Sequence, residues 1–155
     1  MRARSAFTFL EMMVVLVVIG VLAAIVIPRF GAVSSQAETA ATQSTVGGVR
    51  AGIAAYRSRA VISGADPFPT GDELAKLGVV VQQVIPANPF TRISGVQVVD
   101  ADVAAKRGVL NTGTYGWNYW YDNKADPPAA VFYANCENTT TASDGAGGFL
   151  TGNQL

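Results

Sequence analysis

Ser5 to Gly20 reads SAFTFLEMMVVLVVIG, and the apolar run it opens continues to Ile27. From Phe7 to Ile27 there are twenty-one residues, and Glu11 is the only charged one. About 20 apolar residues in a helix span the ~30 Å hydrocarbon core of a bilayer. Arg2 and Arg4 precede the run, and the positive-inside bias then holds the N-terminus in the cytoplasm and the C-terminal body outside. A cleaved secretory signal has the same basic start but a shorter apolar part ending in small residues. Here the run ends in Ile27-Pro28-Arg29, with no Ala-x-Ala pattern before it. Neither an anchor nor a cleaved signal accounts for Glu11. An acidic side chain costs about 2.5–3.5 kcal/mol at the centre of a membrane helix and less toward its ends. Glu11 therefore reaches the headgroups, carries a proton in the bilayer, or has a partner.

Basic leader, then Ala6-Phe7-Thr8-Phe9-Leu10-Glu11, then the long apolar run: this order resembles the class III signal of type IV pilins and pseudopilins. The resemblance implies that prepilin peptidase cuts between Ala6 and Phe7 on the cytoplasmic side and methylates the new amine of Phe7. It makes Glu11 the family's acidic residue at the fifth mature position. The residue before the cut is usually Gly in the family and is Ala6 here. A free amine at Phe7 and a carboxylate at Glu11 are each unfavourable in lipid, and each is relieved by an opposite charge nearby. A subunit entering a filament can set its amine against a neighbour's Glu11, fixing axial register as a buried polar residue does in a coiled coil. Glu11 is thus expected to serve assembly rather than catalysis.

Beyond Pro28 the pattern turns amphipathic. Phe30, Val33, Ala37, Ala40 and Ala41, then Val46, Val49, Ile53, Tyr56 and Ala60 recur at spacings of three and four, a helical stripe. One helix of roughly 50 residues would be ~75–80 Å long, which suits a filament spine. Gly20 and Pro28 are its expected points of flexibility, since proline lacks an N–H and crowds the carbonyl four residues back. The expected organisation is a leader at 1–6, a membrane or filament-core helix at 7–28 and its amphipathic half at 29–62. A globular head follows at 63–138, then a tail at 139–155 whose Thr, Gly, Ala and Ser content reads as flexible or loosely packed.

Within the head, Ser63 to Thr70 carries turn chemistry, Gly71 to Gly78 reads as a short helix, and Pro86-Ala87-Asn88-Pro89-Phe90 is a loop. Strand signals lie at Val96 to Val99, Tyr115 to Tyr121 and Ala129 to Asn135. Alternation puts Tyr115, Trp117, Tyr119 and Tyr121 on one face and Trp120 on the other. The fold class is α+β, a long N-terminal helix packed on a small antiparallel sheet. The aromatic strand is read as core, with a ligand-stacking platform the weaker alternative. Pro-x-Asn-Pro-Phe, a later Gly-Trp-x-Tyr and a strand ending in Ala-Asn also resemble major pseudopilins of type II secretion systems.

There is no histidine, and Cys136 is the sole cysteine, so an intrachain disulfide is excluded, as is the commonest general base. Cys136 reads as a strand-end packing residue. Eleven basic residues balance eleven acidic ones, which provides no basic field for nucleic acid, so no nucleic acid partner is expected outside a DNA-uptake pilin. Asp122, Asn123 and Asp126 are candidate calcium ligands by the resemblance, although acidic turn residues are ordinarily solvated. The implied partners are further copies, other pilins or pseudopilins, prepilin peptidase and an inner-membrane assembly platform. The implied location is the inner membrane, single-pass. A surface pilin and a plain single-pass binding domain are the alternatives to a secretion pseudopilin.

Overall fold

The computed structural model describes residues 7–110 and 113–155. It divides into two compact units at Ser35/Gln36. Helix α1, Phe9–Ser63, contributes to both. In the first unit every large apolar side chain from Phe7 to Val33 is exposed, and α1 runs through Gly20 and Pro28 without a break in the helix. This stretch is long and apolar enough to cross a membrane.

In the second unit α1 buries Thr39, Thr42, Val46, Val49 and Ile53 at spacings of three and four, and Ala60 two turns further on. The valine and isoleucine half of the expected stripe is the face observed. The alanine half is not: Ala37, Ala40 and Ala41 are exposed, and two threonines take their place. Both hydroxyls have partners, Thr42 Oγ1 donating to the Glu38 carbonyl one turn back at 2.8 Å and Thr39 Oγ1 accepting from the distant Thr141 N at 3.0 Å. A buried hydroxyl with a partner carries little penalty, so an alanine-rich helix need not turn its alanines inward. The helix ends where Ala65 N reaches back to Ala60 O around Gly64, whose φ is 71°, a Schellman closure that glycine makes without strain.

The head follows as α2, Gly71–Ala75, β1, Val96–Val98, and α3, Ala101–Ala105. Strands β2, Trp117–Asp122, and β3, Ala129–Ala134, come next, then β4, Thr139–Ser143, β5, Phe149–Thr151, and a 3₁₀ turn, Gly152–Gln154. The long helix and small sheets make an α+β fold. The main sheet has the order β1-β2-β3 and is mixed: β2 pairs antiparallel with β3, but β1 runs parallel to β2. The parallel pairing corrects the expectation of a wholly antiparallel sheet, and it exists because α3 and the loop after it form the crossover between β1 and β2. At five residues α3 is too short for its periodicity to register.

Trp117, Tyr119 and Phe132 form the centre of the core with Val46, Val49, Ile53 and Leu74. Trp117 stacks on Phe132 at 5.6 Å and Tyr119 on Tyr121 at 5.5 Å. Their polar tips find loop carbonyls: Trp117 Nε1 donates to Pro86 O and the Tyr119 hydroxyl to Pro69 O, both at 2.8 Å. Trp117 and Tyr119 are fully buried, so no ligand can stack on them. Tyr115, by contrast, is exposed and lies outside β2. The strand starts late because Gly116 is pressed against the Ile93 carbonyl, where any Cβ would overlap it.

Burial pushes the Tyr119 hydroxyl well above its ordinary value of 10.0. An unfolded tyrosine ionises near 10, so this contribution to stability is complete below that pH and is lost as pH rises toward the folded-state value. Tyr119→Phe is expected to cost about 1–2 kcal/mol at neutral pH for the lost hydrogen bond. It should also flatten the loss of stability between pH 8 and pH 11, read from urea midpoints in detergent. An unchanged alkaline slope would contradict it.

Residues 139–155, expected as a loose tail, are instead paired and anchored. Strand β4 pairs with β5, Gly152 N donates to Asn138 O, and Asn153 N donates to Cys136 O. Arg50 Nη2 donates to Leu155 O at 2.9 Å, and Arg107 Nη1 donates to the Gln154 carbonyl. Main-chain hydrogen bonds hold this segment, and composition does not register them.

Candidate functional site

Thr8-x-x-Glu11 sits at the start of α1. Glu11 Oε2 accepts from Thr8 N at 3.2 Å and from Thr8 Oγ1 at 3.4 Å, while Glu11 N donates to Thr8 Oγ1 at 3.2 Å. This reciprocal arrangement is a capping box, in which a threonine and a glutamate three residues on satisfy each other's free N–H groups. A carboxylate in the first turn also complements the helix dipole. Glu11 thus has a local structural role that the reading of the apolar run missed, although the spacing was present in the sequence. The same device opens α2 through Thr70 and Glu73, whose carboxyl is held below its ordinary value chiefly by the Thr70 backbone N–H. It recurs at Thr151 and Gln154.

The box leaves the second oxygen of Glu11, Oε1, without a partner among the described residues, at the exposed end of an apolar helix. Phe7 immediately precedes the box and is exposed. Ala6, the residue before the expected cut, lies outside the described residues. Gly20 has nothing within 4 Å of where a Cβ would be, and Pro28 lies inside α1.

Of the candidate calcium ligands Asp122, Asn123 and Asp126, the first two already serve backbone groups. Asn123 staples the loop to the segment around Phe68: its Oδ1 accepts from Phe68 N at 2.8 Å and its Nδ2 donates to Phe68 O at 2.9 Å. Asp122 Oδ1 accepts from Lys124 N and Ala125 N. Among the described residues no group of three or more metal-ligating His, Cys, Asp or Glu side chains occurs. The one amide oxygen and one carboxylate oxygen of the candidate set already serve backbone N–H groups, which leaves fewer side-chain oxygens than the roughly six to eight that calcium takes. Cys136 is buried, its thiol pushed up by desolvation, as a packing residue would be.

The N-terminal segment also matches a family profile described as the prokaryotic N-terminal methylation motif, over residues 1–27. Across 149 residues the chain is 24% identical to fimbrial protein EcpC of Eikenella corrodens, spanning 90% of this chain and 95% of that protein. No solved structure matches significantly. The motif and the fimbrial relative together support the type IV pilin superfamily. The motif and the apolar helix fit a membrane-anchored, single-pass chain.

Proposed function

We propose that this chain is a structural, non-enzymatic subunit of a type IV filament-like assembly, most akin to a pseudopilin of a type II secretion system. Prepilin peptidase would cut between Ala6 and Phe7 and methylate Phe7, and an inner-membrane platform would draw the subunit into a fibre. The observation that carries the reading is an apolar helix from Phe9 onward with none of its large side chains buried to Val33 and a carboxylate, Glu11, in its first turn. Such a surface needs lipid before assembly and other helices after it. Gly20 and Pro28 supply the part of α1 that can extend, because proline removes one hydrogen bond and glycine adds backbone freedom.

The secretion reading is supported by the joining of its two sequence blocks. Asn88, from Pro-Ala-Asn-Pro-Phe, is fully buried and donates through Nδ2 to Gly116 O at 2.9 Å, at the head of Gly-Trp-Asn-Tyr. The fimbrial relative favours a second reading, a surface pilus subunit. Mass spectrometry of the chain from its native membrane tests the common part: it should begin at Phe7 and carry one extra methyl group. A chain still beginning at Met1 in cells with active prepilin peptidase would refute it. Deletion separates the two readings, since the first predicts blocked protein release and the second lost surface fibres.

A further inference from the structure

A cavity of about 420 Å³ opens between the second half of α1 and the outer edge of β3, within the ~300–1,000 Å³ range of binding sites. Three arginines line it, Arg50, Arg57 and Arg107, and no acidic residue does. Arg50 and Arg107 are held by main-chain carbonyls. Arg57 is exposed and lies over the Phe68 ring at 5.1 Å. The cavity wall is a free strand edge. Asn135 N donates to Gly116 O, and with the β2–β3 register this makes Val131 and Ala129 the residues bonded to β2. Ala130 and Phe132 therefore present their N–H and C=O groups outward. Arg50 Nε takes the Phe132 carbonyl, while Ala130 has no partner for either group among the described residues. An unpaired edge receives an extended segment, and side-chain chemistry selects which.

We propose that this basic groove receives an extended acidic segment from the head of a second copy of the chain, an inference that rests on the filament-subunit reading. Charge complementarity identifies the occupant. The chain carries equal numbers of acidic and basic residues, yet among the described residues the one side-chain ion pair is Glu38 with Arg92. Asp66, Asp100, Asp126 and Glu137 are exposed and lie outside the helices and strands. A basic groove and acidic loops on one chain make a head-to-tail contact, which propagates into a fibre when it does not close.

Because Cys136 is buried, Ala54→Cys places the single reactive thiol at the groove. The full-length variant, labelled with a maleimide photocrosslinker on cells that assemble it, should give an adduct of twice the subunit mass. Peptide mapping should locate the second site at an acidic loop of another copy. Arg57→Glu in that background should reduce the adduct about tenfold and Arg57→Lys should restore it, with membrane levels unchanged. Fibres without the adduct, an adduct only to lipid or to another protein, or an adduct indifferent to Arg57→Glu would each overturn the docking proposal and leave the subunit reading standing. A chain that forms no fibres and keeps Met1 would overturn both.

Discussion

Asn135→Ala is expected to lower the stability of the head by about 3 kcal/mol, a large part of the ~5–15 kcal/mol available to a domain. Asn135 has no exposed surface and makes four hydrogen bonds with one amide. Its Oδ1 accepts from Leu110 N at 2.9 Å and from Asn118 Nδ2 at 3.1 Å. Its Nδ2 donates to the Leu110 carbonyl and to Tyr115 O, the latter at 2.8 Å. One side chain thereby ties the loop between α3 and β2 to the end of β3. Each buried partner left unsatisfied costs about 1–3 kcal/mol, but Leu110 and Tyr115 are partly exposed and water can replace some of what they lose. Asn118 stays buried. Asn135→Asp separates the bonds from the shape, because it keeps the volume and the acceptor but replaces both N–H donors by carboxylate oxygen. It should be at least as damaging as alanine. Urea titration of the full chain in detergent measures both, and a loss under about 1 kcal/mol for either would show that the loop is held elsewhere.

What the sequence made readable, and what it did not, divides along physical lines. The first half of α1 was readable because twenty-one residues with one charge favour a helix able to span a bilayer. The aromatic strand was readable because Trp117, Tyr119 and Tyr121 alternate with Asn118 and Trp120 at the period of a strand. Asn118 was unreadable as a core residue. It is fully buried because its amide bridges Gly108 O and Asn135 Oδ1, and such partners lie ten and seventeen residues away. The parallel β1–β2 pairing was likewise invisible, since pairing direction depends on a crossover whose helix is five residues long. The 139–155 hairpin was hidden by its composition, because main-chain hydrogen bonds hold it with few large side chains. At the start of α1 the sequence singled out Glu11 but did not reveal its bonds to Thr8. Glu11 stood out as a charge in an apolar run, while Thr8 was read as part of the motif and not as its capping partner.

Glu11→Gln is the substitution that tells those two roles apart. Glutamine serves in a capping box as well as glutamate does, so it should keep the bonds between Thr8 and residue 11 and the start of α1. It removes the negative charge that a neighbour's Phe7 amine would need. Glu11→Ala removes both the cap, worth about 1 kcal/mol, and the charge. If Glu11 serves only the cap, fibre yield should be near normal for Gln and reduced for Ala. If it serves assembly, both variants should insert at normal levels and both should lose at least about tenfold in fibre yield. The assembly role is the expected result, because an unpaired amine in a low-dielectric fibre core is far more unfavourable than a frayed first turn. Sheared-fibre yield measured against total membrane subunit gives the answer. Normal fibres from Glu11→Gln would reduce Glu11 to a helix cap and leave the register of the fibre to the apolar side chains alone.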